Sequence, residues 1–157
     1  MIQRKQTIYL FFAGLVTLVL LFIPYGHLEI EGVKCFVYKA FSVSTIDSND
    51  AIVITIGSAL LLMATSFLSF ITIFFYRNRK LQIKLISLNM LVILLAIFTI
   101  LYVYPNFVFP KNPNFYDATL KYDYTFLICF IPPVGLYLAK RAIVRDEALI
   151  RSSERLR

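Results

Sequence analysis

Leu85–Pro110 reads LISLNMLVILLAIFTILYVYPNFVFP, 26 consecutive residues without an aspartate, glutamate, lysine, arginine or histidine. A hydrocarbon core about 30 Å thick needs roughly 20 helical residues, so this stretch crosses a membrane with length to spare. Ala51–Tyr76, AIVITIGSALLLMATSFLSFITIFFY, is a second uncharged run of 26 residues. Around them the chain of 157 residues is 59% apolar and only 16% charged, with a mean hydropathy of +0.75. That composition excludes an ordinary soluble domain and leaves little chain for an aqueous enzyme.

Two shorter apolar runs flank the pair. Thr7–Ile23 follows Arg4 and Lys5, the charge plan of a signal peptide or an anchor. The Pro24-Tyr25-Gly26-His27 that follows holds no small-x-small cleavage pattern, so an uncleaved helix is expected. Tyr124–Ala139 is 16 residues long and falls several Å short of the core, so Lys140 and Arg141 are expected to snorkel to the interface.

The reading is an all-α membrane protein: a four-transmembrane-helix bundle with a small extracytoplasmic β-hairpin loop and a C-terminal cytoplasmic amphipathic helix. Residues 1–157 form one membrane domain, with spans at about 7–24, 51–76, 81–104 and 123–140. Outer loops occupy 25–50 and 105–122, a cytoplasmic turn 77–80 and a cytoplasmic tail 141–157. Alternate extramembrane segments hold twelve and four of the 16 Lys and Arg residues, which places both termini on the cytoplasmic side. The 77–80 turn is so short that spans two and three are antiparallel neighbours.

Outside the bilayer, residues 27–45 alternate polar and apolar side chains and are rich in Val, Phe, Tyr and Thr, which suits a hairpin turning near Glu31-Gly32. Pro105, Pro110 and Pro113, among Asn106, Asn112 and Asn114, are expected to end the third helix and build a turn-rich cap. In the tail, apolar residues fall mostly on one helical face, and Glu147 stands four residues before Arg151.

Chemical signatures are sparse. Thr55, Ser58, Thr65, Ser69 and Thr72 follow, together with Leu62, three-four spacing along one side of span two. They read either as a polar path or, preferably, as small residues allowing close helix approach. Asn89 is expected to bond across to a neighbouring helix. Pro132-Pro133 lies mid-span in the fourth run, where two missing N–H groups would free the carbonyls of Ile128 and Cys129 and kink the helix. Thr65 and Ser69 are the candidate donors to those carbonyls. His27 with Glu29 and Glu31 could form an acid/base or metal set, but a solvated strand face is the preferred reading. No acidic or basic side chain sits at a span centre, and phosphate-loop, esterase and zinc-protease motifs are absent. No cofactor and no enzymatic activity are expected. Cys35 and Cys129, the two cysteines, fall on different sides of this plan.

Met1–Leu10, Arg77–Ile83 and the tail Arg141–Arg157 resemble the bacterial four-helix membrane proteins grouped as domain-of-unknown-function family 4293. The tail, with Asp146-Glu147 and Arg155-Leu156-Arg157, is the most specific part. The resemblance covers essentially the whole chain and implies a four-span cytoplasmic-membrane protein; it supplies no catalytic residues. All three segments fall on the side read as cytoplasmic.

These features suggest a docking face built from Arg4, Arg77, Arg79, Lys80, Arg141, Asp146, Glu147, Arg151 and Arg155. The expected function is an accessory or scaffolding subunit of a larger inner-membrane assembly. Its expected partners are anionic lipid headgroups and a membrane-protein complex, with no nucleic acid. The alternative is a lipid- or small-molecule-handling protein with an intramembrane pocket formed by the kink at Pro132-Pro133 and the hydroxyl face of span two, and Thr65, Ser69, Asn89, Pro132 and Pro133 are the candidate intramembrane polar contacts.

Overall fold

The computed structural model describes residues 5–30, 32–46 and 51–154. In chain order these form α1 (Lys5–Val19), β1 (Gly26–Ile30), β2 (Val33–Tyr38), β3 (Ser42–Thr45), β4 (Ala51–Ile54), α2 (Ile56–Phe74) and α3 (Arg79–Phe98). After a continuation of α3 come β5 (Thr119–Tyr122), a 3-10 segment Tyr124–Phe130 and α4 (Ile131–Glu154). The five strands make one antiparallel sheet, ordered β4-β3-β2-β1-β5. The fold is therefore mixed α/β, and the all-α expectation is wrong. The hairpin anticipated around Gly32 exists as β1–β2, with Gly32 at φ +83°, a conformation open to a residue without Cβ. It is the centre of a larger sheet whose fifth strand comes from the far end of the chain.

Two segments read as helix or loop became strand for a reason that alternation alone does not reveal. Ala51–Ile54 continues without a break into the apolar run of span two, yet it pairs with β3. Its β-branched residues suit a ladder as well as a helix. Thr119–Tyr122 is too short to announce itself; its ladder partner is β1, some ninety residues earlier in the chain.

α1 packs against α2 and α4, α2 against α3, and α3 against α4. Several hydroxyls on these helices return to their own preceding turn, as Thr17 does to Ala13 O at 2.7 Å and Thr72 to Leu68 O at 2.6 Å, whereas Ser66 of α2 donates across to Gly14 O of α1 at 3.1 Å. Close contact is reached through small residues: a Cβ added at Gly135 on α4 would stand 3.2 Å from the Cβ of Ala13 on α1. Among the described residues three helical stretches are long and apolar enough to cross a membrane, Ile56–Phe74, Arg79–Lys111 and Tyr124–Ala148, whereas the α1 stretch Gln6–Val19 is shorter.

The third helix does not end at Pro105. It widens into π-helix over Thr99–Val108, in which Phe109 N–H reaches the carbonyl of Tyr104, then tightens into 3-10 turns at Phe109–Lys111 and Pro113–Phe115. Pro105 lacks the N–H an α-helix would use, and the changed hydrogen-bond register accommodates it. At about 1.5 Å per residue, Arg79–Lys111 exceeds a 30 Å core, and its surplus turns prop the sheet. Tyr38 Oη donates to Ile100 O at 3.2 Å, Tyr122 Oη donates to Leu101 O at 3.1 Å, and Ser58 N donates to Tyr104 Oη at 3.2 Å. The Phe109 ring fills the space between Tyr38 and Phe115, with centroids 5.2 and 5.7 Å away.

The tail is likewise different from expectation. No separate amphipathic helix begins near Arg141, because α4 runs from Ile131 to Glu154 as one element.

Candidate functional site

The basic end of the helices is built by two local features. Asn78 caps α3, its Oδ1 accepting from Leu81 N at 3.2 Å, and so ends the tight turn that began at Phe75. Arg77, Asn78 and Lys80 are exposed there, with Arg79 half-buried, and the Arg77 guanidinium lies 5.9 Å from the Tyr76 ring centroid. α4 meets this end where Lys140 Nζ donates to Ser87 Oγ at 2.9 Å. Lys140 is thus tied to α3 and does not snorkel freely. Arg141, Arg145 and Asp146 are exposed and Glu147 is half-buried. None of Arg77, Arg79, Lys80, Lys84, Lys140, Arg141 and Arg145 has a carboxylate partner among the described residues.

Of the proposed docking set, the structure brings Arg77, Arg79 and Lys80 onto one turn and Arg141 onto α4. Asp146 and Glu147 follow one turn later on α4. Arg4 and Arg155 lie outside the described residues, as does the side chain of Arg151. A groove of about 490 Å³ on α4 is lined by Tyr137, Lys140, Arg141, Val144, Arg145 and Ala148.

The intramembrane set divides. Asn89 Nδ2 donates to Ser69 Oγ at 2.8 Å between α3 and α2, both residues fully buried. Thr65 instead donates to Leu61 O of its own helix at 3.0 Å. Pro132 and Pro133 stand inside the helical stretch Tyr124–Ala148, where its 3-10 turns give way to α4, and they occupy the first turn of α4. The Ile128 carbonyl, expected to be free, accepts from Ile131 N–H at the end of the 3-10 segment. Neither Thr65 nor Ser69 serves those carbonyls. Pro132 is buried and the neighbouring Gly135 is pressed against α1. A largely apolar groove of about 540 Å³ lies along α1 and α2, lined by residues including Leu18, Met63 and Phe67.

Sequence reasoning passed over Gln82. It is 1% exposed, and its Nε2 donates to Thr72 O at 3.3 Å. Gln82 Oε1 and Asn89 Oδ1 are buried acceptors without a donor among the described residues. A glutamine one turn inside a basic helix start gives no hint of burial; only packing against α2 puts it there.

On the sheet, His27 gathers a different company from the one anticipated. Its Nε2 stands 3.0 Å from Glu29 Oε1 and its Nδ1 3.0 Å from Asp123 Oδ1, while Lys121 Nζ pairs with Glu29 Oε2. Glu31 lies outside the described residues. Lys121 foremost, with His27 adding to it, holds the Glu29 carboxyl below the usual carboxylate range against the opposing effect of desolvation. Both imidazole nitrogens are engaged on opposite edges of the ring, so the two carboxylates do not converge on a common point. Among the described residues no group of three His, Cys, Asp or Glu could hold a metal ion. The cluster fastens β5 to β1. Behind the sheet, burial pushes the Tyr25 and Tyr38 hydroxyls well above their ordinary range, and Tyr25 Oη donates to Leu20 O at 2.7 Å.

A family model described as domain of unknown function (DUF4293) matches residues 2–156. The chain belongs to the DUF4293 family. No curated protein and no solved structure matches it. In this DUF4293 protein the basic turn, the α4 groove and the sheet cluster all lie within the matched range.

Proposed function

We propose that this protein is a non-enzymatic, multi-pass protein of the bacterial cytoplasmic membrane with both termini on the cytoplasmic side. It serves as an accessory or scaffolding subunit of a larger membrane assembly. The observation that carries the reading is the set of seven cations at one end of the helices without carboxylate partners among the described residues. Cations so clustered favour the cytoplasmic side and complement an acidic partner surface. Outward-facing Leu91, Phe67 and Phe74, each at least 66% exposed, supply the apolar surface that lipid or a membrane partner covers.

The alternative is a lipid- or small-molecule-handling protein with a pocket beside Pro132-Pro133, where the 3-10 turns of Tyr124–Phe130 meet α4. The test is purification of the tagged chain from its native membrane in mild detergent, followed by mass spectrometry of co-purifying proteins. A stoichiometric partner whose recovery falls on Arg79→Glu/Lys80→Glu substitution supports the docking role. A chain recovered alone, or a partner indifferent to the substitution, counts against it.

A further inference from the structure

We infer that the groove on α4 is a binding site for one anionic phospholipid, its phosphate held by Lys140, Arg141 and Arg145 and an acyl chain lying down the helix past Tyr137. The inference rests on the membrane placement proposed above and adds a ligand class and a location to it. Helical spacing puts Val134, Tyr137, Arg141, Val144 and Ala148 on one stripe, with Lys140 and Arg145 on either side. The cationic rim therefore sits on an apolar floor, and that floor continues into the span: Val134 is 57% exposed and Tyr137 52%. A ligand that satisfies the whole groove is anionic at one end and apolar at the other. A soluble acidic peptide or free phosphate satisfies only the rim.

Three features tune the site. Lys140 is fixed by Ser87, so part of the ordering is complete before a headgroup arrives. Because α4 continues unbroken to Glu154, Arg141 and Arg145 ride a rigid helix, one turn apart on the same side. Asp146 falls on the opposite face by the same spacing and does not neutralise the rim.

The full-length protein is reconstituted into nanodiscs of phosphatidylcholine containing a minor fraction of phosphatidylglycerol, and retained lipids are counted by native mass spectrometry. One phosphatidylglycerol per chain is expected on the wild type. Arg141→Ala/Arg145→Ala removes two exposed cations without touching the core, and a loss of about 30-fold in affinity is expected from about 1 kcal/mol per cation near a membrane surface. Lys34→Ala/Lys111→Ala removes the same charge from exposed positions outside the docking face and should leave retention unchanged.

Equal loss in both double variants would reduce the effect to diffuse attraction and overturn the site, as would a wild type that retains no phosphatidylglycerol preferentially. Glycerol phosphate competing as well as the lipid would show that the apolar floor plays no part, and would overturn the lipid assignment in favour of a phosphate site. Release of the chain from native membranes by alkaline carbonate would remove the membrane placement itself, before any lipid is measured.

Discussion

Glu29 shows how much one side chain gains from partners remote in sequence. Its nearest readable companion is His27, two positions away, but Lys121 on β5 and Asp123 just after it complete the cluster. Since the folded carboxyl titrates below its unfolded value, the stabilisation is fully present above the ordinary carboxylate range and is lost as pH falls through the lowered folded value. Thermal unfolding in detergent should thus show an acid-side loss of stability that Glu29→Gln flattens; an unchanged acid limb in the variant would remove Glu29 as its source. The buried amide at Asn89 makes a second prediction. Ser69→Ala leaves the Asn89 side chain without its hydroxyl partner, at a cost of about 1–2 kcal/mol, while Ser69→Ala/Asn89→Leu deletes the stranded amide as well. The double variant should unfold no earlier than the single one, and an additive loss would show that the pair is not coupled.

At the scale of elements, the prolines are instructive because sequence placed them correctly and misjudged their setting. Pro132-Pro133 looked like a mid-helix break when Tyr124–Ala139 was read as one helix. A 3-10 segment precedes them, and they begin α4. Pro132→Ala should accordingly shift the unfolding midpoint little, by well under the ~3 kcal/mol of an interior proline; a large stabilisation would restore the kink. Strand pairing gives the opposite case. A Cβ on Gly26 would run into the Lys121 carbonyl and crowd Tyr122, so Gly26→Ala should separate β5 from β1 and destabilise by about 1–3 kcal/mol. Faster amide hydrogen exchange at residues 119–122 is the matching readout.

On the scale of the whole molecule, the long third helix links the layers. Arg79–Lys111 is apolar enough to span, yet its last turns leave the α-helical path and carry Tyr104 and Phe109 under the sheet. The proposed topology puts the sheet outside and the 77–80 turn inside. Reporter fusions should read alkaline phosphatase activity from an insertion at Gly32 and green fluorescence from one at Asn78; the reverse pattern would overturn the orientation.

Hydropathy and charge settled what local information can settle. Long uncharged runs are apolar whatever they pack against, so three membrane-competent stretches, the basic 77–84 segment and the turn at Gly32 were legible in the residues themselves. So was the family, through the two ends and the 77–83 turn. The sheet was not, because β4 is hidden inside a hydrophobic run and β5 acquires meaning only when β1 lies beside it. Nor were the setting of Pro132-Pro133 or the burial of Gln82. Strand pairing and side-chain burial depend on which elements meet in the folded chain, and a local pattern of apolar and polar residues leaves that choice to tertiary packing.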